Sequence, residues 1–491
     1  MTKNARPTST KWLRGERIRE AAFLRRTTRW LIGRLTIYAL PRNRYPAEDD
    51  SPVGTLRPTT ERGGSRSGEP LSQGEFQKMT IATSYQILAC IGLTFSALTF
   101  YRVRLFAGLT VPTFVIGWLR GELALQTIAV EAIGTFFFWR AGAFESGAGQ
   151  LGFVLSLVSW AMLVLVARRG VGAGQEIADA LAPAKIQPEA DVSAFHGFAL
   201  PFGFKHPSVH TIRSVEYGES LPGDKGGRNL LDLVLPRAAK SGDRRPVLLQ
   251  VHGGGWIIGD KREQGKPLMT HLASRGWICV AINYRLSPQA TMPDHIVDVK
   301  RSIAWIREHI EEYGGDPEFL CLTGGSAGGH LCSLAALTPN DPNFQPGFES
   351  VDTRINGCVP FYGVFDFVDR AGDRPLGKMS DFLGPIVFKS KPDEKPELWE
   401  SVSPITRIGS DAPPFFVIQG SHDSLVFSGE AVTFVSALRE KSTQWVLHAE
   451  LFGAQHAFEI FHSPRSAHAV RGATAFLEGV HAEYKGERAS V

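Results

Sequence analysis

The hydrophobic pattern of the chain changes near residue 186. From there to the C-terminus, short continuous apolar runs alternate with helical patterns, and the runs span residues 247–254, 276–284, 319–325, 355–363, 413–420 and 445–453. Continuous apolar strands separated by helices are typical of a mostly parallel sheet that is covered on both faces. The pattern therefore predicts one α/β domain over residues 186–491, with the helix-like segment 297–314 between two of its strands.

The pattern before this domain is helical and apolar. Residues 79–101 carry no charge over 23 positions, and residues 151–167 are a second apolar stretch. Lengths of this kind can cross a hydrocarbon core of roughly 30 Å. Residues 105–119, which contain a proline, and residues 123–139, which contain a glutamate, are weaker candidates. We predict a helical membrane domain of two to four spans over residues 78–170; the alternative for any single stretch is a buried globular helix.

Charge separates a third region at the N-terminus. The net charge of the chain is +4, but residues 1–78 hold 16 Lys and Arg against 8 Asp and Glu, which gives +8 there and −4 over the rest. Residues 1–77 are predicted to form a basic amphipathic arm followed by a flexible linker rich in Pro, Gly and Ser. The arm suits a membrane surface, and we expect no nucleic-acid partner; a cleaved transit peptide or a solvated tail are alternatives.

The charge of the arm also bears on orientation. A basic N-terminal segment favours a cytoplasmic start, so an even number of spans would leave the α/β domain in the cytoplasm and an odd number would export it. We therefore expect a multi-pass membrane protein and leave open the side on which its α/β domain lies. The sequence does not indicate an oligomeric state.

The cysteines indicate neither a disulfide framework nor a metal site. The five cysteines, Cys90, Cys279, Cys321, Cys332 and Cys358, show no paired spacing and are interpreted as small core residues. No stretch clusters His, Cys and carboxylates, so no metal site and no cofactor are expected.

Ser326 lies between glycines at the end of an apolar run. The segment "LCLTGGSAGGHLCSL" (320–334) reads as a strand, a tight turn and a helix, and Gly324-x-Ser326-x-Gly328 has the form of a nucleophile elbow. A glycine-rich packing turn or a phosphate-binding loop are the alternatives. The rest of the chain must decide between them.

Three further strand ends carry groups that fit a serine nucleophile. The stretch "HGGGW" (252–256) follows one strand, and its glycines let backbone N–H groups approach a substrate oxyanion. Asp423 follows a later strand, 97 residues after Ser326, and His456 follows the next, 33 residues after Asp423. Ser, Asp, His is the chain order of α/β-hydrolases, in which the histidine is the base and the aspartate orients it.

The C-terminal region resembles a known family, the hormone-sensitive-lipase-like branch of the α/β-hydrolases, which comprises carboxylesterases and lipases. The resemblance covers roughly residues 200–480 and rests on the motifs "HGGGW", "NYRLSP", "GGSAGGH", "GSHDSLV" and "GAQHAF". It implies an α/β-hydrolase fold. The stretch "HGGGWIIGDK" also looks like eukaryotic isoprenylcysteine methylesterases, and the apolar N-terminal region looks like that of membrane-bound bacterial esterases.

The resemblance implies roles for individual residues. It implies the catalytic residues Ser326, Asp423 and His456 and the oxyanion-hole residues Gly253, Gly254 and Ala327. Trp256 is expected to line the acyl or alcohol site. The chain departs from the family at Gly325, where an aspartate often precedes the nucleophile.

We therefore expect a serine hydrolase that cleaves carboxylic esters, with a small ester or lipid as substrate. O-deacetylation, methyl-ester removal and amide hydrolysis would use the same residues. A non-catalytic binding module on the same fold is the alternative from a different class, and a transporter is a weaker one. Residues 364–404 are interpreted as part of a cap over the acyl pocket or as an ordinary surface insertion.

Overall fold

An eight-stranded sheet forms the centre of the C-terminal region. The computed structural model describes residues 73–101, 107–224, 226–372 and 379–487, so most of the predicted arm and linker and part of the predicted cap lie outside the described residues. The strands are β1 (Val209–Glu216), β2 (Leu230–Pro236), β3 (Arg245–Val251), β4 (Ile278–Ile282), β5 (Gly315–Gly325), β6 (Gly357–Phe361), β7 (Phe415–Gly420) and β8 (Val446–Leu451).

The order of the strands is β1-β2-β4-β3-β5-β6-β7-β8. The pairs β1–β2 and β2–β4 are antiparallel, and every other pair is parallel. An open, mostly parallel sheet in this order is the α/β-hydrolase fold, so the predicted fold class of this region is confirmed. The predicted apolar runs correspond to β3 through β8.

Helices lie on both faces of the sheet and form a bundle before it. They are α1 (Gln73–Leu98), α2 (Ala107–Glu122), α3 (Ala124–Arg140), α4 (Gly147–Leu181), α5 (Lys266–Ser274), α6 (Asp294–His309), α7 (Ala327–Leu337), α8 (Met379–Leu383), α9 (Pro396–Ser401), α10 (Ser428–Lys441) and α11 (Pro464–Tyr484). The sheet is buried between two hydrophobic clusters, one on each face.

The bundle is formed by α1, α3 and α4, whose contacts are made by small and hydroxyl side chains. The Tyr85 hydroxyl on α1 lies 3.2 Å from Thr135 Oγ1 on α3 and 3.1 Å from Ser156 Oγ on α4. Ser96 and Ser159 are hydrogen-bonded at 2.8 Å further along the same two helices. Residue numbers rise together along the two helices in these pairs, so α1 and α4 run in the same direction. Short polar side chains join them, as is common in apolar helix bundles.

The composition of these helices suits a bilayer. Helices α1 and α4 are each long and apolar enough to cross a membrane, and α2 and α3 together form another apolar segment that is bent by 91°. Cys90 was expected in the core with the other cysteines, but it is exposed because it lies on the outer face of α1. Glu131 is the charged residue that made residues 123–139 a weaker candidate for a membrane span. It is paired with Arg120 and accepts a hydrogen bond from Trp160 Nε1 at 3.0 Å.

Helix α4 connects the bundle to the sheet without a break. It is 35 residues long. Its last turns bury Ala173, Ile177 and Leu181 in the same hydrophobic cluster as strands β7 and β8. The α/β region therefore shares core residues with a helix that begins in the bundle.

Candidate active site

Ser326 occupies a strained turn between β5 and α7. Its backbone has φ 58° and ψ −121°, a conformation that side-chain-bearing residues rarely adopt. The strand before it and the helix after it are both buried, so the turn is held on each side. Such a turn lifts the serine hydroxyl above the carboxyl ends of the strands. The backbone at Ser326 thus has the sharp strand-to-helix turn that the sequence predicts.

Glycine is required around this serine because backbone and side chains approach closely. A Cβ on Gly324 would lie 2.5 Å from the carbonyl oxygen of Gly328. A Cβ on Gly325 would lie 2.6 Å from the hydroxyl oxygen of Tyr362. The space that an aspartate would use before the nucleophile is therefore filled by the Tyr362 side chain.

Asp423 and His456 meet at the ends of β7 and β8. His456 Nδ1 lies 2.7 Å from Asp423 Oδ2, and both side chains are buried. The other carboxylate oxygen of Asp423 accepts from the backbone N–H groups of Leu425 and Val426, each at 2.8 Å. Gln419 Nε2 donates to Asp423 Oδ2 at 3.0 Å. Three protein donors besides the imidazole thus fix the carboxylate, which leaves His456 Nε2 as the ring nitrogen available for a further partner.

Tyr362 connects the serine turn to the histidine. Its hydroxyl lies against Gly325, next to Ser326, and its ring centroid is 4.4 Å from that of His456. The Ser326 hydroxyl makes no hydrogen bond to another residue within the described ranges. The serine turn and the Asp423–His456 pair therefore both contact one buried tyrosine.

The glycine loop after β3 borders Ser326. A Cβ on Gly253 would lie 3.1 Å from Ser326 Cβ, so this loop and the serine are neighbours. The Gly253 N–H already donates to Gln264 Oε1 at 2.7 Å. Among the described residues, the N–H groups of Gly254, Gly255 and Ala327 find no protein acceptor. These three donors are free to bind an oxygen, whereas Gly253 is engaged.

Trp256 and two histidines shape the base of the loop. Trp256 is buried, and its Nε1 donates to His330 Nδ1 at 3.2 Å while its ring packs on Phe367. Burial lowers the pKa of His330 and that of His252 to about 4 each, so both are neutral at pH 7. The contact of Trp256 with substrate stays a prediction, and the two histidines are buried among their neighbours.

A buried glutamate lies beside His456. Glu459 is near both Tyr362 and His456, and burial, which is the largest cause, raises its pKa to about 7. Its Oε2 atom and the Tyr362 hydroxyl both lack a hydrogen bond of good geometry. The sequence analysis did not select Glu459 or Tyr362, because neither belongs to a motif of the elbow or the triad.

The described residues contain no group of three or more His, Cys, Asp or Glu side chains that could hold a metal ion. The groups around Ser326 are instead a serine in a strained turn, a histidine hydrogen-bonded to an aspartate, and N–H donors without a protein acceptor among the described residues. Together with the sheet they have the layout expected of an α/β-hydrolase, with Ser326, Asp423 and His456 at the carboxyl ends of the strands.

Comparison with known proteins identifies the family. Residues 231–438 match the family model described as BD-FAE. This region is a BD-FAE domain, a hormone-sensitive-lipase-like α/β-hydrolase, as predicted from its motifs.

Two relatives come from Mycobacterium tuberculosis. The chain is 51% identical over 265 residues to "Probable carboxylic ester hydrolase LipM", which covers 54% of this chain and 61% of LipM. It is 46% identical over 282 residues to "Esterase LipQ", which covers 57% of this chain and 66% of LipQ. Each match thus spans less than two thirds of the relative.

A solved structure resembles the same region. The thermophilic esterase Est2 of the Planctomycetes species Thermogutta terrifontis, with butyrate bound, matches 58% of this chain and 97% of Est2, at 23% identity and a TM-score of 0.45.

Proposed function

We propose that the protein hydrolyses carboxylic esters through an acyl-enzyme on Ser326. The observation that carries this proposal is the buried 2.7 Å hydrogen bond between His456 and Asp423 beside a strained serine turn. The names of the relatives, an ester hydrolase and an esterase, agree with it. No cofactor is required.

In this mechanism Ser326 Oγ attacks the ester carbonyl while His456 Nε2 takes its proton. Asp423, bonded to Nδ1, stabilises the imidazolium that forms. The imidazolium then protonates the departing alcohol, and the acyl group remains on Ser326. Water enters, gives a proton to His456 and attacks the acyl carbonyl, and the proton returns to Ser326 as the acid leaves.

The free N–H groups of Gly254, Gly255 and Ala327 are proposed to bind the oxyanion of each tetrahedral intermediate. Gly253, which the family resemblance implies, would serve only after Gln264 released its N–H. One oxyanion donor typically contributes about 10²–10³ in rate. Gly255 was missed in the sequence analysis although it belongs to the same run of glycines.

O-deacetylation, methyl-ester removal and amide hydrolysis remain possible reactions of the same groups. A non-catalytic binding module is disfavoured, since such modules lose the nucleophile or the base and this chain retains both. The residues that would form a cap, including α8 and α9, are proposed to cover the acyl pocket.

The test is hydrolysis of p-nitrophenyl esters by the full chain, with Ser326→Ala, Asp423→Asn and the exposed control Ser436→Ala. We expect kcat to fall about 10⁴-fold or more in the first two variants and to stay unchanged in the control. Labelling by a fluorophosphonate should require Ser326. Equal activity of wild type and Ser326→Ala, or absence of labelling in wild type, would refute the proposal.

We also propose that α1, α3 and α4 cross a membrane while α2 lies along its surface. The outer faces of the bundle expose large apolar side chains, such as Ile87, Val130, Phe137 and Val154. One end of the bundle holds the exposed ion pair of Lys78 and Glu145. Three crossings would put the start of α1 and the α/β region on opposite faces.

Accessibility to a membrane-impermeant thiol reagent checks this topology. Single cysteines would be introduced for Ser146, at the bundle end that holds Lys78, and for Ser428, in the α/β region, in a background without Cys90. Labelling of only one of the two from each side is expected. Labelling of both from the same side would exclude three crossings.

A further inference from the structure

Helix α2 holds the loop of the candidate catalytic histidine with one face. Phe114, Trp118 and Glu122 follow one another at four-residue spacing, so they lie on the same side of the helix. All three contact the segment from His456 to Arg465. The contacts join parts of the chain more than 330 residues apart, as in the 339-residue separation of Trp118 and Ala457.

The two aromatic contacts lie at the histidine itself. The Phe114 ring is 6.1 Å from the His456 ring, edge to face at 75°. Trp118 Nε1 donates to the carbonyl oxygen of Ala457 at 2.8 Å, and its ring lies 4.7 Å from that of Phe461. The histidine side of the candidate site is thus lined by α2, the helix that lies between α1 and α3 in the chain.

Glu122 fixes the end of this helix to the α/β region. Its carboxylate pairs with Arg465 and accepts from the Ser463 hydroxyl at 2.6 Å. All three side chains are buried. The position of α2 beside His456 is therefore set by a charged anchor as well as by packing.

The face of α2 next to this one is apolar and open. Val111, Val115 and Leu119 are 60%, 37% and 39% exposed. In the glycine loop that borders Ser326, Ile258 is 68% exposed, and its N–H donates to the carbonyl oxygen of Gly254 at 3.1 Å. Exposed apolar side chains thus lie on α2, which contacts His456, and on the glycine loop, which contacts Ser326, and such surfaces favour contact with hydrocarbon.

We propose that α2 is a wall of the substrate path and that the substrate is an ester whose hydrocarbon chain resides in the bilayer. The hydrocarbon chain of the substrate lies along Val111, Val115 and Phe114, while its ester carbonyl reaches Ser326 beside His456. Phe114 is then a specificity-determining residue, and Trp118 is a positioning residue for the histidine loop. The inference rests on the proposed function, since it names the substrate class of that same site.

The first test uses the full chain in bilayer nanodiscs. A long-chain fluorophosphonate with a diazirine at the end of its chain is attached to Ser326, and light then crosslinks the chain end to whatever surrounds it. We expect crosslinked peptides from residues 107–122. Crosslinks confined to residues 379–401, in the proposed cap, would overturn the inference and leave the esterase proposal intact. Failure of the reagent to attach to Ser326 would instead refute the esterase proposal.

Variants of α2 give a second, independent readout. Phe114→Ala is expected to lower kcat/KM for a palmitoyl ester about 10- to 200-fold more than for an acetyl ester, because it removes apolar contact along the chain. Val130→Ala, at a 69% exposed site on α3, is the control and should leave the ratio unchanged. Phe114→Leu replaces the alanine variant if fluorophosphonate labelling shows that the latter is unfolded.

Trp118→Phe keeps an aromatic ring at this position and removes the indole N–H that donates to Ala457. It should lower kcat for both esters alike without changing their ratio, because it moves the histidine and not the chain. An unchanged palmitoyl-to-acetyl ratio in both Phe114 variants, with labelling of Ser326 intact, would overturn the inference.

Discussion

At the scale of single residues, Gly325 is where the chain departs from its family resemblance. The Tyr362 hydroxyl fills the space beside its Cα, and the tyrosine ring in turn packs on His456. Gly325 and His456 are thus connected through one aromatic side chain, so a change at Gly325 is expected to move the His456 ring.

Gly325→Ala tests this connection. The new Cβ would lie 2.6 Å from the Tyr362 hydroxyl oxygen, so the buried ring must shift. We expect a loss of about 1–3 kcal/mol in the free energy of unfolding and a lower kcat. Thermal melting and ester hydrolysis measure the two effects. Gly134→Ala, where a Cβ meets nothing within 4 Å, is the matched control; an unchanged kcat in Gly325→Ala would contradict the argument.

Glu459 gives the site a pH dependence of stability. Burial raises its pKa from an ordinary value of 4.5 to about 7, and the groups that face it are Tyr362, His456 and Glu122. Because the folded state holds this proton more tightly, stability is full below the unfolded pKa and falls as the pH rises through 7. The loss amounts to at most about 3 kcal/mol.

Glu459→Gln should remove this fall. Unfolding followed by denaturant between pH 4.5 and pH 8 is expected to show a smaller decline in the variant than in wild type. Glu487→Gln, at an exposed position near the C-terminus, serves as the control. A variant that loses as much stability with rising pH as wild type would show that Glu459 does not titrate in this range.

At the scale of elements, the strands show what the sequence can and cannot predict. Strands β3 to β8 were recognised because they are short, continuous apolar runs. Strands β1 and β2 were missed, since β1 lies at the sheet edge with mixed exposure and β2 contains Asp232. An apolar run indicates burial, whereas β1 has no fully buried residue and β2 is buried although it carries a charged side chain.

The candidate site divides in the same way. Ser326, Asp423, His456 and the glycine loop were selected from motifs at strand ends, where the fold gathers them. Tyr362, Glu459 and helix α2 were not, because their contacts with His456 depend on packing between distant segments. The pairing of Trp118 with Ala457 leaves no periodicity or motif in either stretch.

The anchor of α2 can be tested by removing one side of its ion pair. Glu122→Gln leaves the buried guanidinium of Arg465 without its carboxylate, which typically costs about 3–5 kcal/mol. The double variant Glu122→Met, Arg465→Met should recover much of this loss, because no charge is then left unpaired. Unfolding of the full chain in detergent compares the wild type, Glu122→Gln and the double variant. A double variant as unstable as Glu122→Gln would argue against the ion pair as the anchor.

At the scale of the whole molecule, the α/β region depends on the end of α4. Ile177 and Leu181 are buried in its core, and each contributes about 1.5–3 kcal/mol by burial. A chain that begins at residue 186 loses both. We expect it to melt well below a chain that begins at residue 170, or to be insoluble. Equal melting temperatures of the two truncated chains would contradict this dependence.

Because α4 is a single continuous helix, its length sets the distance between the start of the bundle segment and the α/β region. Its residues 147–166 measure about 30 Å at 1.5 Å per residue, close to one hydrocarbon thickness. Arg168 and Arg169 follow at once, and the remaining turns are embedded in the hydrolase core. Because α4 has no break in between, crossing of a bilayer by α4, as proposed, would hold Ser326 at a fixed height above the lipid headgroups. We therefore expect ester hydrolysis to be slower in bilayers that are thicker or thinner than this span.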